Sequence, residues 1–266
     1  MDAPPHNVDA EADAERAARA VFLARLVREV RTPIDAILGH SHLVEMGLMG
    51  QPDFLERLRA SGAQLLRLLD DVLALSQANS GRMTPVQEYA SAGDSIAPAL
   101  ALNISQAEAK GVSLLDRTAD TRGVAYVGDA RRVREILANL VANAIARTSA
   151  AGAVTVRCAR AAGAPPQAHL QGHGPWVSIR IEDTGSEIAP EEQPCVFEPF
   201  HRTGPRTTGA RIGTGLELTI SRCLARLMSG DITVESEPGA GSAFTLWLPT
   251  AVDGEPAAAD EPSAIS

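Results

Sequence analysis

The sequence predicts an α+β chain in which a long helical hairpin precedes an α/β sandwich with a mixed sheet. Two observations support this. Apolar residues recur every three or four positions over residues 16–79, and short β-like runs alternate with helical periods over residues 82–250. The 266 residues, 45% of them apolar, allow one large or two modest domains.

The hairpin consists of one helix predicted over residues 16–48 and a second over residues 53–79. Gly47 and Gly50 end the first helix, and Pro33 inside it should kink it or remove one backbone hydrogen bond. The apolar stripe of the second helix is formed by Phe54, Leu58, Leu65, Leu69, Val72 and Leu73.

This hairpin has a wider apolar face than its own two helices can cover. Pairing two hairpins into a dimeric four-helix bundle would bury that face, so we expect a homodimer through residues 16–81. The alternative is that the hairpin packs on the C-terminal domain of its own chain.

The remaining elements indicate a sandwich of helices on a sheet. Helices are expected over residues 91–110, 129–148 and 214–229. Strands are expected at residues 112–115, 124–127, 154–158 and 176–182, and in a β-hairpin around residues 238–241.

The net charge of −9 comes from the two ends of the chain. Residues 1–15 hold five acids, residues 251–266 hold four, and neither end contains Lys or Arg. Both ends are therefore predicted to be acidic, flexible tails. A basic nucleic-acid-binding protein is excluded as the default reading, and no apolar run is long enough for a membrane span or a secretory signal.

Cysteine usage favours a reducing compartment. Cys158, Cys195 and Cys223 are odd in number and widely spaced, which argues against a disulfide framework and for a cytoplasmic location. The six histidines show no spacing typical of metal ligands.

Five short motifs occur in a fixed order along the chain. They are Arg28-Glu29-Val30-Arg31-Thr32-Pro33, Asn139-Leu140-Val141-Ala142-Asn143, Asp183-Thr184-Gly185, Phe197-Glu198-Pro199-Phe200, and Gly213-Thr214-Gly215-Leu216. Together they resemble the core of a sensor histidine kinase, with a dimerisation and phosphotransfer hairpin (16–81) before a Bergerat-type ATP-binding domain (82–250). The resemblance implies ATP and Mg²⁺ as cofactors and a response regulator or partner kinase as the binding partner.

The resemblance also implies roles for single residues in nucleotide binding. Asn143 would hold the Mg²⁺ that bridges the phosphates, with Asn139 beside it, and a carboxamide oxygen suits this hard cation. Asp183 would accept a hydrogen bond from the adenine amino group, and Gly185 would let the backbone approach the base. Core or helix-end amides and a turn aspartate are the alternatives for these positions.

Residues 213–215, which we call the glycine turn, precede a predicted helix. Gly213, Thr214 and Gly215 would therefore present backbone N–H groups at a helix N-terminus, where an anion such as a triphosphate is favoured. Phe197 and Phe200 resemble the motif that precedes the mobile lid over the nucleotide, with core packing as the alternative role. The resemblance places Arg202, Arg206, Arg211, Gly204 and Gly209 in that lid.

The phosphoacceptor position is the largest departure from the family. Where the family has a histidine followed by Glu, an apolar residue, Arg, Thr and Pro, this chain has Arg28. A guanidinium stays protonated and offers only donors, so it cannot attack a phosphoryl group. Glu29 and Thr32 remain, and by resemblance they could support dephosphorylation of a response regulator.

Two acidic residues replace glycines of the family motifs. Glu187 stands at the second glycine of Asp-x-Gly-x-Gly, and Glu217 stands at the third glycine after the glycine turn. A carboxylate at a triphosphate site repels the ligand and fills space, so ATP binding is expected to be weakened or lost.

The sequence thus predicts a histidine kinase homologue that has lost autophosphorylation, a pseudokinase that docks and regulates its partner. The alternative is an enzyme: a response-regulator phosphatase using Glu29 and Thr32, or a kinase acting through another acceptor such as His42. A chaperone-type or topoisomerase-type ATPase is disfavoured, because Asn139 occupies the helix turn where such enzymes carry a water-activating Glu.

Overall fold

The computed structural model describes residues 8–48, 50–118, 123–172, 174–201 and 213–251, with side chains from residue 16 onward. The lid residues named above (Arg202, Gly204, Arg206, Gly209 and Arg211) lie outside the described residues, as do residues 1–7 and 252–266 of the predicted tails.

Two long helices form the predicted hairpin, α1 (Val8–Glu45) and α2 (Gln51–Asn79). Residues 8–15 of the predicted tail are therefore helical. Acidic residues are favourable at a helix N-terminus and Ala is the best helix former, which accounts for the earlier start. Helix α1 continues through the buried Pro33, and none of the helices within the described residues has the length and apolarity of a membrane span.

The C-terminal part is an α/β domain with one mixed sheet. Its helices are α3 (Ala92–Lys110), α4 (Ala130–Arg147) and α5 (Glu217–Leu227), with a short 3-10 helix at Gln193–Cys195. Its strands are β1 (Glu88–Ser91), β2 (Ser113–Asp116), β3 (Ala125–Gly128), β4 (Ala153–Ala161), β5 (Trp176–Asp183), β6 (Asp231–Glu237) and β7 (Gly241–Pro249).

The strands form one five-stranded sheet and one separate pair. Five strands follow the order β2-β4-β5-β7-β6; only the β2–β4 pair is parallel, while β1 and β3 form a separate antiparallel pair. On β5, Val177, Ile179 and Ile181 are buried, and these alternate positions face the helical layer.

Local capping sets the helix ends of the α/β domain. Helix α3 starts after Ser91, whose side chain accepts the Asp94 N–H, and ends at Gly111, which has a φ of +69°. The Asp129 carboxylate caps α4 by accepting two backbone N–H groups. At the other end of α4, Lys110 Nζ donates to the Ile145 and Ala146 carbonyls at 2.8 and 2.6 Å, which joins α3 to α4.

The hairpin packs on the α/β domain of its own chain, as the alternative reading had it. Leu68 and Leu75 of α2 belong to the same buried core as the sheet, with Phe22 and Leu26 of α1 packed against it. Part of the predicted apolar stripe of α2 stays uncovered in the single chain, where Leu69 and Leu73 are 50% and 57% exposed. The apolar side of α2 is wide enough to contact two partners, and the α/β domain covers only one part of it.

A buried carboxylate connects α5, β6 and the loop before β5. Asp231 is fully buried and accepts hydrogen bonds from Arg222 Nε at 2.8 Å, Arg226 Nε at 3.1 Å and the His169 N–H at 2.8 Å. Burial alone would raise the pKa of Asp231, but these hydrogen bonds outweigh it and lower the pKa. The group is therefore ionised in the native fold.

Replacing Asp231 with Asn is expected to lower the free energy of unfolding by about 2 kcal/mol, because two arginines lose a charged acceptor. Since the native pKa is depressed, this stability is present above the unfolded-state pKa and is lost as the pH falls through the native value. Urea unfolding from pH 7 to pH 3 measures both effects. Asp35→Asn, which alters an exposed ion pair with Arg31, is the matched control; an equal loss in both variants would contradict the prediction.

Candidate functional site

The glycine turn lies directly before α5, and the side chain of Glu217 closes it. Gly213 and Gly215 have φ values of +91° and +80°, so both sit in the conformation that glycine tolerates. Glu217 Oε1 accepts the Thr214 N–H at 2.5 Å, and Oε2 accepts the Gly215 N–H at 2.9 Å. The helix starts at residue 217 rather than 214, and its first side chain takes the donors that a bound anion would use.

Space at the turn is also filled. A Cβ built on Gly213 would lie 2.6 Å from Glu217 Oε1, so the carboxylate sits against the backbone itself. The Glu217 carboxylate is therefore an internal anion that occupies the Thr214 and Gly215 N–H groups, which a bound phosphate would otherwise use.

The third polar group of the turn is bound by the hairpin. Thr214 Oγ1 and Asp71 Oδ2 of α2 lie 2.5 Å apart in a hydrogen bond that the hydroxyl donates. Burial raises the pKa of Asp71, the hydrogen bond from Thr214 opposes this, and repulsion from Glu217 raises the pKa further. Thr214 thus stands between two carboxylates, one from each part of the chain.

Asp183 lies at the end of β5 and is 2% exposed. Ser242 Oγ donates to Asp183 Oδ2, and the Gly185 N–H donates to Oδ1 at 2.8 Å. Burial raises the pKa of Asp183, although both hydrogen bonds act against that rise. Two acceptor positions of the carboxylate are therefore in use within the chain.

Gly185 is required by a close approach of two backbone segments. A Cβ at this position would lie 2.5 Å from the carbonyl oxygen of Arg147 at the end of α4. Arg147 Nη2 donates to the Ser186 carbonyl in the same turn. The expectation that Gly185 permits backbone approach therefore has a structural basis, but here the approaching group belongs to the chain itself.

Asn139 and Asn143 are one turn apart on α4 and are half-buried. Asn143 Nδ2 is buried and has no hydrogen-bond partner among the described residues. Within those residues no group of three or more His, Cys, Asp or Glu side chains is arranged to hold a metal ion. Asn143 remains the candidate Mg²⁺ ligand, as a single amide oxygen.

Glu187 lies away from the glycine turn. Its exposed side chain accepts the Gly239 N–H at 3.0 Å in the turn between β6 and β7. The two acidic residues that replace family glycines therefore bind different turns: Glu187 binds the turn between β6 and β7, and Glu217 binds the glycine turn.

The phenylalanine motif has two structural roles. Phe197 packs in the core, with its ring 6.2 Å from that of Phe244 and the Arg222 guanidinium 4.4 Å from its centre. Phe200 has a φ of +61° and stacks on Phe22 of α1, with ring centres 5.4 Å apart. Core packing, the alternative role, holds for both: Phe200 belongs to the buried core and also contacts the hairpin, and Phe197 is partly buried against that core.

On the hairpin, Arg28 is 68% exposed, and its Nε lies 3.8 Å from Glu29 Oε1. The Glu29 side chain is only 14% exposed. The Thr32 hydroxyl donates to the Arg28 carbonyl at 3.1 Å, so its lone pairs still face outward as acceptors. The three residues lie together on α1, as their spacing predicts.

Two family models match this chain. Residues 18–81 match the His Kinase A (phospho-acceptor) domain, and residues 128–252 match the histidine kinase-, DNA gyrase B- and HSP90-like ATPase family. The chain carries a sensor histidine kinase core.

Curated relatives of this histidine kinase core are much longer than the chain. It is 34% identical to the histidine protein kinase DivJ of Caulobacter vibrioides and 33% identical to the sensor protein TorS of Escherichia coli, covering 91% of this chain in both cases but 39% and 25% of the relatives. It is 32% identical to the autoinducer 2 sensor kinase/phosphatase LuxQ of Vibrio parahaemolyticus, over 90% of this chain and 27% of the relative.

Solved histidine kinases share the fold. The Acinetobacter baumannii kinase AdeS matches with a TM-score of 0.65 at 21% identity, over 83% of this chain and 96% of AdeS. ShkA in complex with AMPPNP matches with a TM-score of 0.62 at 27% identity, over 88% of this chain and 46% of ShkA. ThkA in complex with the response regulator TrrA matches with a TM-score of 0.66 at 20% identity, over 94% of this chain and 68% of the matched chain.

The family implies ATP with a divalent cation, and the residues of this kinase core fit that group only in part. The amide oxygen of Asn143 could bind the cation, and its buried Nδ2 is a donor with no partner among the described residues. The Thr214 and Gly215 N–H groups, however, are bound to Glu217. A triphosphate would have to displace a carboxylate hydrogen-bonded to both donors. The glycine turn does not fit a triphosphate in this arrangement.

Asp71 is the functional residue that sequence reasoning missed. It lies on the buried side of α2, three residues after Leu68 and four before Leu75. An acidic residue at a core position of an amphipathic helix is a signal for a buried polar partner, and this spacing could have found it. The partner, Thr214, is 143 positions away and could not be read from the sequence.

Proposed function

We propose that this chain is a two-component signalling protein that does not phosphorylate itself, a pseudokinase that docks and regulates a response regulator receiver domain or a partner histidine kinase. The observation that carries the proposal is the Glu217 carboxylate on the Thr214 and Gly215 N–H groups. An internal anion in this position competes with the phosphates of ATP for the same donors.

The chemistry of Arg28 supports the same conclusion. A phosphoacceptor needs a lone pair on nitrogen, and the guanidinium of Arg28 has none to offer at physiological pH. Its 68% exposed side chain is instead suited to binding a carboxylate or phosphate of a partner.

The hairpin supports a homodimer through residues 16–81. Apolar side chains of both helices are more than half exposed in the single chain, among them Val27, Leu38, Leu66 and Leu73. A second hairpin would bury these side chains in a four-helix bundle. A receiver domain is the proposed partner because a solved relative of the same fold is bound to a response regulator. No nucleic-acid partner is proposed.

We also propose a cytoplasmic location, on the odd number and wide spacing of Cys158, Cys195 and Cys223.

Incubation with radiolabelled ATP and Mg²⁺ tests the proposal. We expect no acid-labile label on the chain, and a fluorescent ATP analogue should bind with a Kd weaker than about 1 mM. A histidine kinase known to label itself serves as the positive control. Label that maps to any residue of this chain would overturn the pseudokinase assignment.

The phosphatase alternative is favoured by Glu29 and Thr32, which remain in place, and by a relative named as a kinase/phosphatase. Its test is the decay of a receiver domain phosphorylated with acetyl phosphate, with Thr32→Ala as the control. We expect equal half-lives with and without the protein. Decay that the wild type accelerates and Thr32→Ala does not would establish the phosphatase instead.

A further inference from the structure

Three contacts join the hairpin to the α/β domain close to the glycine turn. Phe22 of α1 packs its ring on Phe200, Arg25 Nη1 donates to the Pro199 carbonyl at 3.0 Å, and Asp71 of α2 accepts the hydroxyl proton of Thr214. Both helices of the hairpin therefore contact the α/β domain at residues 199–200 or at the glycine turn.

These contacts are linked to one another inside the α/β domain. The Phe200 N–H donates to the Gly215 carbonyl at 2.8 Å, so the residue that meets α1 is bonded to the turn that meets α2. Phe200 holds a positive φ, a conformation that persists only when its surroundings fix it. Loss of the Phe22 contact would remove part of that surrounding structure.

Three donors of the glycine turn are already bound by carboxylates of the chain. Thr214 gives its N–H to Glu217 and its hydroxyl to Asp71, and Gly215 gives its N–H to Glu217. Other acids face the same region: Asp70 on α2 and Glu135 on α4, which is paired with Arg132 at 2.8 Å. An anion entering the turn would displace Glu217 and would add negative charge beside Asp71.

We propose that Glu217 acts as an internal ligand that keeps the glycine turn in the form that docks the hairpin, so that anion binding at the turn and docking of the hairpin exclude one another. This inference deepens the proposed function, because the glycine turn then serves as a docking surface for the chain's own hairpin. An anion that displaced Glu217 from the turn would therefore release α1 and α2.

Cys223 reports the docked state directly. It lies on α5 facing α2, with its Sγ 4.0 Å from Asn79 Oδ1, and burial raises the pKa of its thiol. Undocking exposes the thiol and restores its acidity, and both changes accelerate alkylation by iodoacetamide. Peptide mass spectrometry follows Cys223 separately, with Cys195 as the internal reference.

The first measurement compares two truncations on α1. Phe22→Ala removes the ring that contacts Phe200, and Leu23→Ala removes a neighbouring apolar side chain that is 52% exposed. We expect alkylation of Cys223 to rise about tenfold in Phe22→Ala and to stay unchanged in Leu23→Ala. Equal rates in the two variants would overturn the docking role of Phe22.

The second measurement uses inorganic triphosphate as the probe, titrated by calorimetry. We expect no binding to the wild type and measurable binding to Glu217→Gly, with Glu217→Gln as a second variant that keeps the side-chain length. Saturating triphosphate should accelerate alkylation of Cys223 in the variant that binds it. Absence of binding in both variants would overturn the role of Glu217 as the internal ligand.

Reciprocity decides whether the two events are coupled. Adding Phe22→Ala to Glu217→Gly should tighten triphosphate binding, by at most the factor by which Phe22→Ala weakens docking, although Phe22 contacts Phe200 and lies outside the turn. An unchanged affinity would overturn the coupling. Self-phosphorylation of the wild type would overturn the proposed function alone, since the alkylation rates do not depend on it.

Discussion

Autophosphorylation is expected to appear when Arg28→His and Glu217→Gly are combined, and neither change alone should produce it. Because nucleotide at the glycine turn would undock the hairpin, the transfer to residue 28 would take place from an α/β domain that has left the docked arrangement. Arg28→His supplies a nitrogen lone pair, but Glu217 still holds the Thr214 and Gly215 N–H groups. Glu217→Gly frees those donors, but Arg28 offers no nucleophile. The double variant should incorporate acid-labile phosphate about 100-fold above the wild type, the lower end of what a positioned catalytic group contributes.

The single variants are the controls for this gain of activity. Glu217→Gly should bind a labelled adenine nucleotide without becoming phosphorylated, and Arg28→His should do neither. Adding Glu187→Gly should change the label little, because the Glu187 carboxylate is bonded to Gly239 in another turn. A double variant that binds nucleotide and carries no label would show that the loss of activity has a further cause beyond these two positions.

Replacing Gly241 with Ala is expected to destabilise the fold by about 4 kcal/mol. Gly241 begins β7 with a φ of +84°, and a Cβ there would lie 1.9 Å from the Asp183 carbonyl oxygen. The substitution therefore adds backbone strain to a clash with a backbone atom that cannot rotate away. Because typical domains have only 5–15 kcal/mol of stability, a large part of the total would be lost.

Gly239→Ala is the matched control, two residues earlier in the same turn. Its φ is +76°, but nothing lies within 4 Å of the Cβ position, so only the conformational cost of about 1 kcal/mol applies. Urea unfolding midpoints of the two variants should differ clearly. Similar midpoints would mean that strand β7 shifts to accommodate the extra methyl group.

The spacing of apolar residues predicted most helices and strands, but it did not predict which of their faces are covered. The helix expected over residues 129–148 is α4 (Ala130–Arg147), since its long amphipathic pattern and capping Asp129 are both local signals. Strand β1 and the 3-10 helix at Gln193–Cys195 were missed, because neither contains the apolar run that marked the equally short strands β2 and β3. Which part of the hairpin stripe the α/β domain covers could not be read from the sequence, because it depends on the tertiary arrangement.

Those properties of the candidate site that depend on one motif alone could be predicted from the sequence. The conflict between Glu217 and an anion at the glycine turn followed from charge and from the helix N-terminus. The two hydrogen bonds by which Glu217 satisfies the turn, and the contact of Thr214 with Asp71, depend on the tertiary arrangement. The same holds for Gly185, whose neighbour proved to be the Arg147 carbonyl.

The clamp of Arg222 and Arg226 on Asp231 fixes the middle and the end of α5 to the start of β6. At 1.5 Å per residue the helix is about 16 Å long. Its first turn is held as well, because Ile220 is buried and Thr219 Oγ1 donates to the Phe197 carbonyl at 2.9 Å. With α5 anchored along its whole length, a rearrangement at Glu217 would have to be absorbed by the short loop before the helix.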